Sequence, residues 1–329
     1  MTIESIGVLG GGAWGTALAQ VAASGGRRTL LWAREPEVVH GINQAHENRV
    51  FLPGQRLSPA VVATTELDEL AGCDALLVVT PAQHMRSVLA GLANCGKPLI
   101  LCSKGIEADS GALLHQVARE VCPASDIMVL SGPTFAHEVA AGYPTALTVA
   151  AEKLGAAEPV RQRLALPQFR LYLSEDVAGA EVGGAVKNVL AIACGVVEGK
   201  GLGQNARSAL IARGFAEMTR FGLALGARRE TLAGLSGLGD LVLTCSSTSS
   251  RNFSLGQGIG QGRSAAELMA DRRTVAEGAF TAPVLRRVAD ERGIDMPIVA
   301  AVDDLLAGRS DVDAVLENLL SRPPRPEGN

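Results

Sequence analysis

The chain has 329 residues, a net charge of −4, 47% hydrophobic and 19% charged residues, and 3% aromatic residues. That length accommodates two domains with cores of their own, and the composition is that of a folded globular chain rather than a disordered one. A negative balance with few rings argues against nucleic acid, which calls for a basic face and stacking aromatics. No basic segment precedes an apolar core at the start, so no signal peptide is expected and the reading is cytoplasmic. Lys187 and Asn188 interrupt the longest apolar candidates, so no run is expected to reach the roughly 18 residues of a membrane helix. Six cysteines stand singly with no C-x-x-C pair, which suits buried reduced thiols rather than a metal site or a disulfide framework.

The first element is the most informative. Ile6, Val8 and Leu9 make a short apolar strand, Gly10, Gly12 and Gly15 follow on the G-x-G-x-x-G spacing, and residues 16–23 are helix-forming. Strand, glycine turn and helix in that order is the dinucleotide-binding arrangement. Gly10 permits the tight turn, Gly12 lets backbone approach a pyrophosphate, and Gly15 lets helix and strand pack closely, while the helix start offers N–H groups to the anion.

Residues 28–32 form a second strand, whose end decides the cofactor's ribose partner. An acid there binds a 2′-hydroxyl and an arginine accommodates a 2′-phosphate. Arg34 stands nineteen positions after Gly15, which favours NADP, with Glu35 beside it keeping NAD open.

Residues 74–80, DALLVVT, are the near-continuous apolar run of a strand buried on both faces. A helical segment follows to residue 92, then a strand over 98–103, a helix over 110–121, a strand over 127–131 and a helix over 135–141. Residues 145–150 and 169–173 are strand-like with a helical stretch between. Such alternation predicts an α/β domain, a doubly wound, mostly parallel sheet over residues 1–178. Ligands in these sheets lie at the carboxyl ends of strands, where Gly10 to Gly15, Thr80, Lys104, Gly132 and Thr134 fall.

From residue 175 onward the pattern is of long helices, at 177–198, 206–225, 280–292, 297–306 and 312–320, predicting an all-α second domain over 179–321. The tail 322–329, with three prolines and no core former, is expected to be disordered.

All five histidines lie before residue 138, so a proton-transfer group from the second domain points to lysine. Five lysines stand against 25 arginines, and lysine alone of the two can give up its proton. Lys187 shares a helical face with Ala180, Gly183, Gly184, Leu190, Ala191 and Cys194. Small residues beside a buried amine leave room for a ligand, and desolvation lowers a lysine pKa toward the working range. The same pattern also serves tight helix packing with a snorkelling lysine. Asp240, between apolar flanks, calls for a cationic partner. The run 244–256 gathers Ser246, Ser247, Ser249, Ser250, Arg251 and Asn252, which reads equally as a phosphate site or a polar surface loop.

With these residues in hand, the chain closely resembles the NAD(P)-dependent glycerol-3-phosphate dehydrogenases of bacteria. The matching motifs are GGGAWGTALA at 10–19, CSKGIE at 102–107, SGPTFAHEVAAGYPTA at 131–146, GGAVKNVLAIACG at 183–195, NARSALIARG at 205–214, GLGDLVLTC at 237–245 and SRN at 250–252. They run through nearly the whole chain. Departures at His137, Phe253 and Ser254 alter local charge only. The resemblance implies a Rossmann domain followed by a helical one, and reversible reduction of dihydroxyacetone phosphate to sn-glycerol 3-phosphate for glycerophospholipid synthesis. It implies Lys187 as the catalytic proton carrier, with Lys104, Gly132, Thr134, Asp240, Ser250, Arg251 and Asn252 holding substrate. It implies further that Ala13, Trp14, Arg34, Lys104, Ala136, Arg251, Val275 and Glu277 join the glycines in contacting NADPH or NADH, and that the enzyme is a homodimer. Two other readings keep the fold: a β-hydroxyacid or ketopantoate-type reductase, separated by its indifference to a phosphate group, and a non-catalytic NADP sensor, which has no need of a proton donor.

Overall fold

The computed structural model describes residues 2–92, 95–270 and 276–323. Two compact units are distinguished. The first runs to Lys104 and resumes over Ala112–Ala180; the second is Gly105–Gly111 and the chain from Glu181 on.

The first unit contains strands β1 (Ile6–Leu9), β2 (Thr29–Trp32), β3 (Glu47–Asn48), β4 (Leu52–Arg56), β5 (Val61–Thr64), β6 (Ala75–Val78), β7 (Leu99–Leu101), β8 (Ile127–Ser131), β9 (Thr145–Ala151) and β10 (Phe169–Ser174). Eight of them form one sheet in the order β10-β9-β8-β7-β6-β1-β2-β5. Pairing is parallel except between β8 and β9, so the expected doubly wound, mostly parallel sheet is what the chain adopts. β3 and β4 pair as a separate antiparallel hairpin. The sequence does not foresee this hairpin, because Pro53 and Gly54 interrupt the apolar alternation that marks a strand, nor β5, whose four residues are too short a run to stand out.

Helices α1 (Ala13–Ala22), α2 (Pro36–Ala45), α3 (Met85–Ala90), α4 (Leu114–Val121), α5 (Ala136–Ala140) and α6 (Leu154–Leu164) cover the sheet. Alternation along each strand sorts the core into two layers. Val8, Leu77, Ile100 and Met128 pack with Leu18 of α1, Ile42 of α2 and Val160 of α6. Leu9, Leu76, Val78 and Leu101 pack with Met85 and Leu89 of α3 and Val117 of α4. The chain leaves β1 toward β2 and β5 and returns to its other side at β6, so the carboxyl end of β1 is the switch point of the sheet.

From Val177 onward every element among the described residues is helical: α7 (Val177–Gly199), α8 (Gly203–Ala224), α9 (Arg229–Leu232), a π-type turn over Leu235–Gly239, α10 (Asp240–Cys245), α11 (Arg251–Gly260), α12 (Ala265–Leu268), α13 (Glu277–Glu291), α14 (Pro297–Leu306) and α15 (Val312–Ser321). One expectation is corrected. α7 is long and apolar enough to cross a membrane, with an 18-residue window of mean hydropathy 1.5, because Lys187 is the single charge in its centre. That window is wholly buried within the protein, which makes α7 a core helix. Of the tail, residues 324–329 lie outside the described residues, while Arg322 is held by an ion pair to Asp295 at 2.7 Å.

Candidate functional site

The glycine turn closes on itself. Gly10 has φ of 126°, and a Cβ there would stand 2.9 Å from the Val79 carbonyl oxygen. At Gly15 a Cβ would stand 1.9 Å from the Gly10 carbonyl oxygen, so no side chain fits at either position. Gly11, which the motif spacing did not single out, lies against β2, where a Cβ would come within 2.4 Å of that of Ala33. Gly12 differs from all three. It is the extended N-cap of α1, and apart from its own chain neighbours nothing lies within 4 Å of where its Cβ would be. The first turn of α1, which begins with Ala13 and Trp14, has no side-chain cap and no acidic residue, so its N–H groups face an anion without competition. This open cradle at the end of β1 fits a dinucleotide pyrophosphate.

Arg34 lies two residues beyond β2 with its side chain 79% exposed, and Glu35 is its partner at 3.1 Å. Lys104, beyond β7, places Nζ 3.4 Å from the Gly132 carbonyl oxygen. Gly132 follows β8 with φ of 156°, and a Cβ there would meet the Leu147 Cα at 2.9 Å. Thr134 Oγ1 donates to the same carbonyl at 3.4 Å, and Ala136 opens α5 two residues later. Lys104, Gly132 and Thr134 are thus gathered at neighbouring strand ends. The buried hydroxyls of Thr80 and Ser131, also at strand ends, find no hydrogen-bond partner among the described residues.

In the second unit Lys187, at the middle of α7, is buried. Its Nζ donates to Asp240 Oδ1 at 2.6 Å and to Thr244 Oγ1 at 2.8 Å. Asp240 is fully buried and so needs the cation. Thr244, four residues on in α10, shares its helical face, donates to the Asp240 carbonyl at 2.7 Å and gives the amine a second oxygen acceptor. That i, i+4 spacing was the available signal for Thr244. The room expected beside Gly183 is filled: a Cβ there would stand 2.1 Å from the Ser236 carbonyl oxygen, because the turn that delivers Asp240 lies directly on α7. Burial, together with the neighbouring Cys194 thiol, pushes the Cys245 thiol well above its ordinary pKa, which keeps it neutral beside the ion pair.

α11 brings the SRN motif to the same helix. Gly195 and Gly199 on α7 and Gly256 and Gly260 on α11 let the two helix backbones touch, a Cβ on Gly195 falling 2.0 Å from the Phe253 carbonyl oxygen and one on Gly256 1.9 Å from that of Ile192. Ser250, read from sequence as equally a polar loop or a phosphate site, is the N-cap of α11; its Oγ accepts from Phe253 N at 3.2 Å. Arg251 is exposed in the first turn. Asn252 is buried, its Nδ2 donating to Asn188 Oδ1 at 3.0 Å and its Oδ1 accepting from Gly278 N at 2.9 Å. Asn252 therefore ties α7, α11 and α13 together next to Glu277, the first residue of α13. Asn188 and Gly278 gave no signal of their own in the sequence. Val275 lies outside the described residues.

Comparison with known proteins agrees with both halves of this architecture. Residues 5–157 match the N-terminal family model of NAD-dependent glycerol-3-phosphate dehydrogenase, and residues 176–317 match the C-terminal model. A glycerol-3-phosphate dehydrogenase [NAD(P)+] of Erythrobacter litoralis is 64% identical over 99% of this chain and 98% of its own length. The solved glycerol-3-phosphate dehydrogenase of Coxiella burnetii superposes with a TM-score of 0.93 at 34% identity, covering 97% of this chain and 99% of that one. A ketopantoate reductase structure from Ralstonia eutropha JMP134 reaches a TM-score of 0.61 at 15% identity, a likeness of fold alone. A glycine cradle at the switch point, a buried lysine on the long helix of the second unit, and matches along both segments converge on one conclusion: this chain belongs to the NAD-dependent glycerol-3-phosphate dehydrogenase family.

Proposed function

We propose that this protein catalyses the reversible NAD(P)-dependent reduction of dihydroxyacetone phosphate to sn-glycerol 3-phosphate, supplying glycerophospholipid synthesis in the cytoplasm as a homodimer. The observation that carries the reading is the buried Lys187 amine, held by Asp240 and Thr244, in a chain of this family. Hydride donation or acceptance is the chemistry that a bound nicotinamide would supply. Negative charge then grows on the carbonyl oxygen, and an acid must meet it there. Lys187 gives its proton to that oxygen in reduction and recovers one in oxidation, with Asp240 fixing the ammonium in place. Residues 1–178 form the dinucleotide-binding domain and residues 179–321 the helical substrate-binding domain, each also lending residues to the other ligand.

Lys104, Gly132, Thr134, Asp240, Ser250, Arg251 and Asn252 hold the substrate. Gly10, Gly12, Ala13, Trp14, Gly15, Arg34, Lys104 and Ala136 contact the cofactor, as do Arg251, Val275 and Glu277. Arg251 is shared by both ligands. Asn252, with two bonds already made inside the protein, acts through the amide hydrogen and lone pair that remain. Arg34 favours NADPH.

The test is loss of nicotinamide absorbance when the purified protein meets dihydroxyacetone phosphate, with NADPH and NADH run in parallel and unphosphorylated dihydroxyacetone as control. Rapid oxidation that requires the phosphate supports the proposal. Equal activity on the unphosphorylated ketone, or cofactor binding without oxidation, overturns it.

A further inference from the structure

A carbonyl inside the glycine turn is held by a side chain from outside it. Asn48, the last residue of β3, is completely buried, and its Nδ2 donates to the Gly11 carbonyl oxygen at 2.8 Å and to Thr16 Oγ1 at 2.8 Å. Its Oδ1 accepts from Phe51 N at 3.1 Å, and Thr16 Oγ1 donates to the Gly11 carbonyl at 3.4 Å. One amide therefore joins the glycine turn, the body of α1 and the tip of the β3–β4 hairpin. The Gly11–Gly12 peptide is planar and trans, so its C=O and N–H point in opposite directions. Drawing the Gly11 oxygen toward Asn48 aims the Gly12 N–H away from Asn48.

We propose that Asn48 is a positioning residue for the dinucleotide: by holding the Gly11 carbonyl it sets the direction of the Gly12 N–H and of the first-turn amides of α1 that receive the pyrophosphate. The proposal rests on the reading that the glycine turn takes the cofactor. The approach to Asn48 is itself constrained. His46 is the one non-glycine residue with positive φ among the described residues, at 51°, a conformation that persists only where surrounding bonds impose it. Those bonds are present: Leu57 N donates to the His46 carbonyl at 2.8 Å, and Gly54 N donates to Glu47 Oε1 at 3.0 Å. The position also demands an amide. Aspartate has the same shape and retains the acceptor for Phe51, but it presents oxygen to the Gly11 oxygen and holds nothing.

The experiment compares Asn48→Asp and Thr16→Val with the unmodified protein. NADPH dissociation constants are measured by titration on the folded fraction, and kcat and KM for dihydroxyacetone phosphate at saturating cofactor. Asn48→Asp is expected to bind NADPH about tenfold to a hundredfold more weakly, with kcat at saturation within about twofold of the unmodified value. Thr16→Val, which keeps the 2.8 Å bond from Asn48 to the Gly11 carbonyl and loses only the longer Thr16 contact to it, is expected to bind NADPH within about twofold. If Asn48→Asp does not fold, Asn48→Ser removes the long donor without adding charge and is judged by the same criteria. An unchanged dissociation constant in a folded Asn48 variant, or a kcat that falls in step with the folded fraction while affinity is constant, overturns the proposal. Failure of the unmodified protein to bind any nicotinamide dinucleotide overturns the cofactor reading beneath it, a distinct result.

Discussion

Lys187 Nζ lies 2.6 Å from Asp240 Oδ1, and both side chains are withdrawn from water, at 7% and 0% exposure. In such a place neither charge is stable without the other, since an ion left alone in a buried site costs several kcal/mol. The pair is therefore at once a structural joint between α7 and α10 and the group proposed to move the proton.

Lys187→Met keeps the stem and removes the amine. Turnover is expected to fall by about a thousandfold, within the range for loss of a positioned acid, while NADPH affinity changes little. The buried Asp240 left behind lowers stability by about 3 kcal/mol. Stopped-flow oxidation of NADPH and a urea titration check the two effects separately; turnover near that of the unmodified protein would remove Lys187 from the proton path.

Arg34 bears on cofactor choice alone. Its side chain reaches solvent with Glu35 as partner, so Arg34→Ala costs the fold little. KM for NADPH is expected to rise about tenfold with that for NADH unchanged, the arginine being the group that accommodates a 2′-phosphate. Steady-state kinetics with both cofactors decide, and an unchanged ratio discards the assignment.

Two glycines make an opposed pair. Gly256→Ala drives a methyl to 1.9 Å from the Ile192 carbonyl and must push α11 off α7, at a cost of about 3 kcal/mol. Gly155, exposed near the start of α6, has nothing within 4 Å of its Cβ position, and alanine there should stabilise by about 0.5–1 kcal/mol. Opposite shifts in denaturant midpoint are expected, and a neutral Gly256→Ala would contradict the close helix contact.

Glu217 supplies a pH dependence. On α8 it is buried, and it accepts from Ile298 N at 2.8 Å and Val299 N at 3.3 Å, capping α14. Burial pushes its carboxyl from the ordinary 4.5 up to about 7, against the backbone hydrogen bonds, which pull it down. Because the folded state holds the proton more tightly, the stability linked to this group is full below pH 4.5 and is lost as pH rises to about 7, by at most about 3 kcal/mol. Glu217→Gln should flatten that part of the stability profile between pH 5 and 8. A slope equal to that of the unmodified protein would show that Glu217 does not titrate in this window.

The elements legible in the sequence are those whose signal is local. Strand β1, the glycine spacing and the start of α1 occupy one short stretch, and backbone geometry alone requires Gly10 and Gly15 there. DALLVVT reads as a strand because a position covered on both faces admits nothing polar. Lys187 stood out through its helical face and through the scarcity of lysine. The β3–β4 hairpin did not stand out, and with it Asn48 was missed.

Periodicity and turn chemistry act over a few residues, so the order of strands and helices and the family motifs can be read along the chain. The remaining contacts exist only once the chain is folded. Lys187 meets an aspartate 53 positions away, Asn48 reaches a carbonyl 37 positions away, and the space beside Gly183 holds the 235–239 turn rather than standing open. Such contacts depend on how α7 packs against α10 and α11 and on how the hairpin lies on the glycine turn. A hydrogen bond is specified by distance and direction in space, and no local pattern records either.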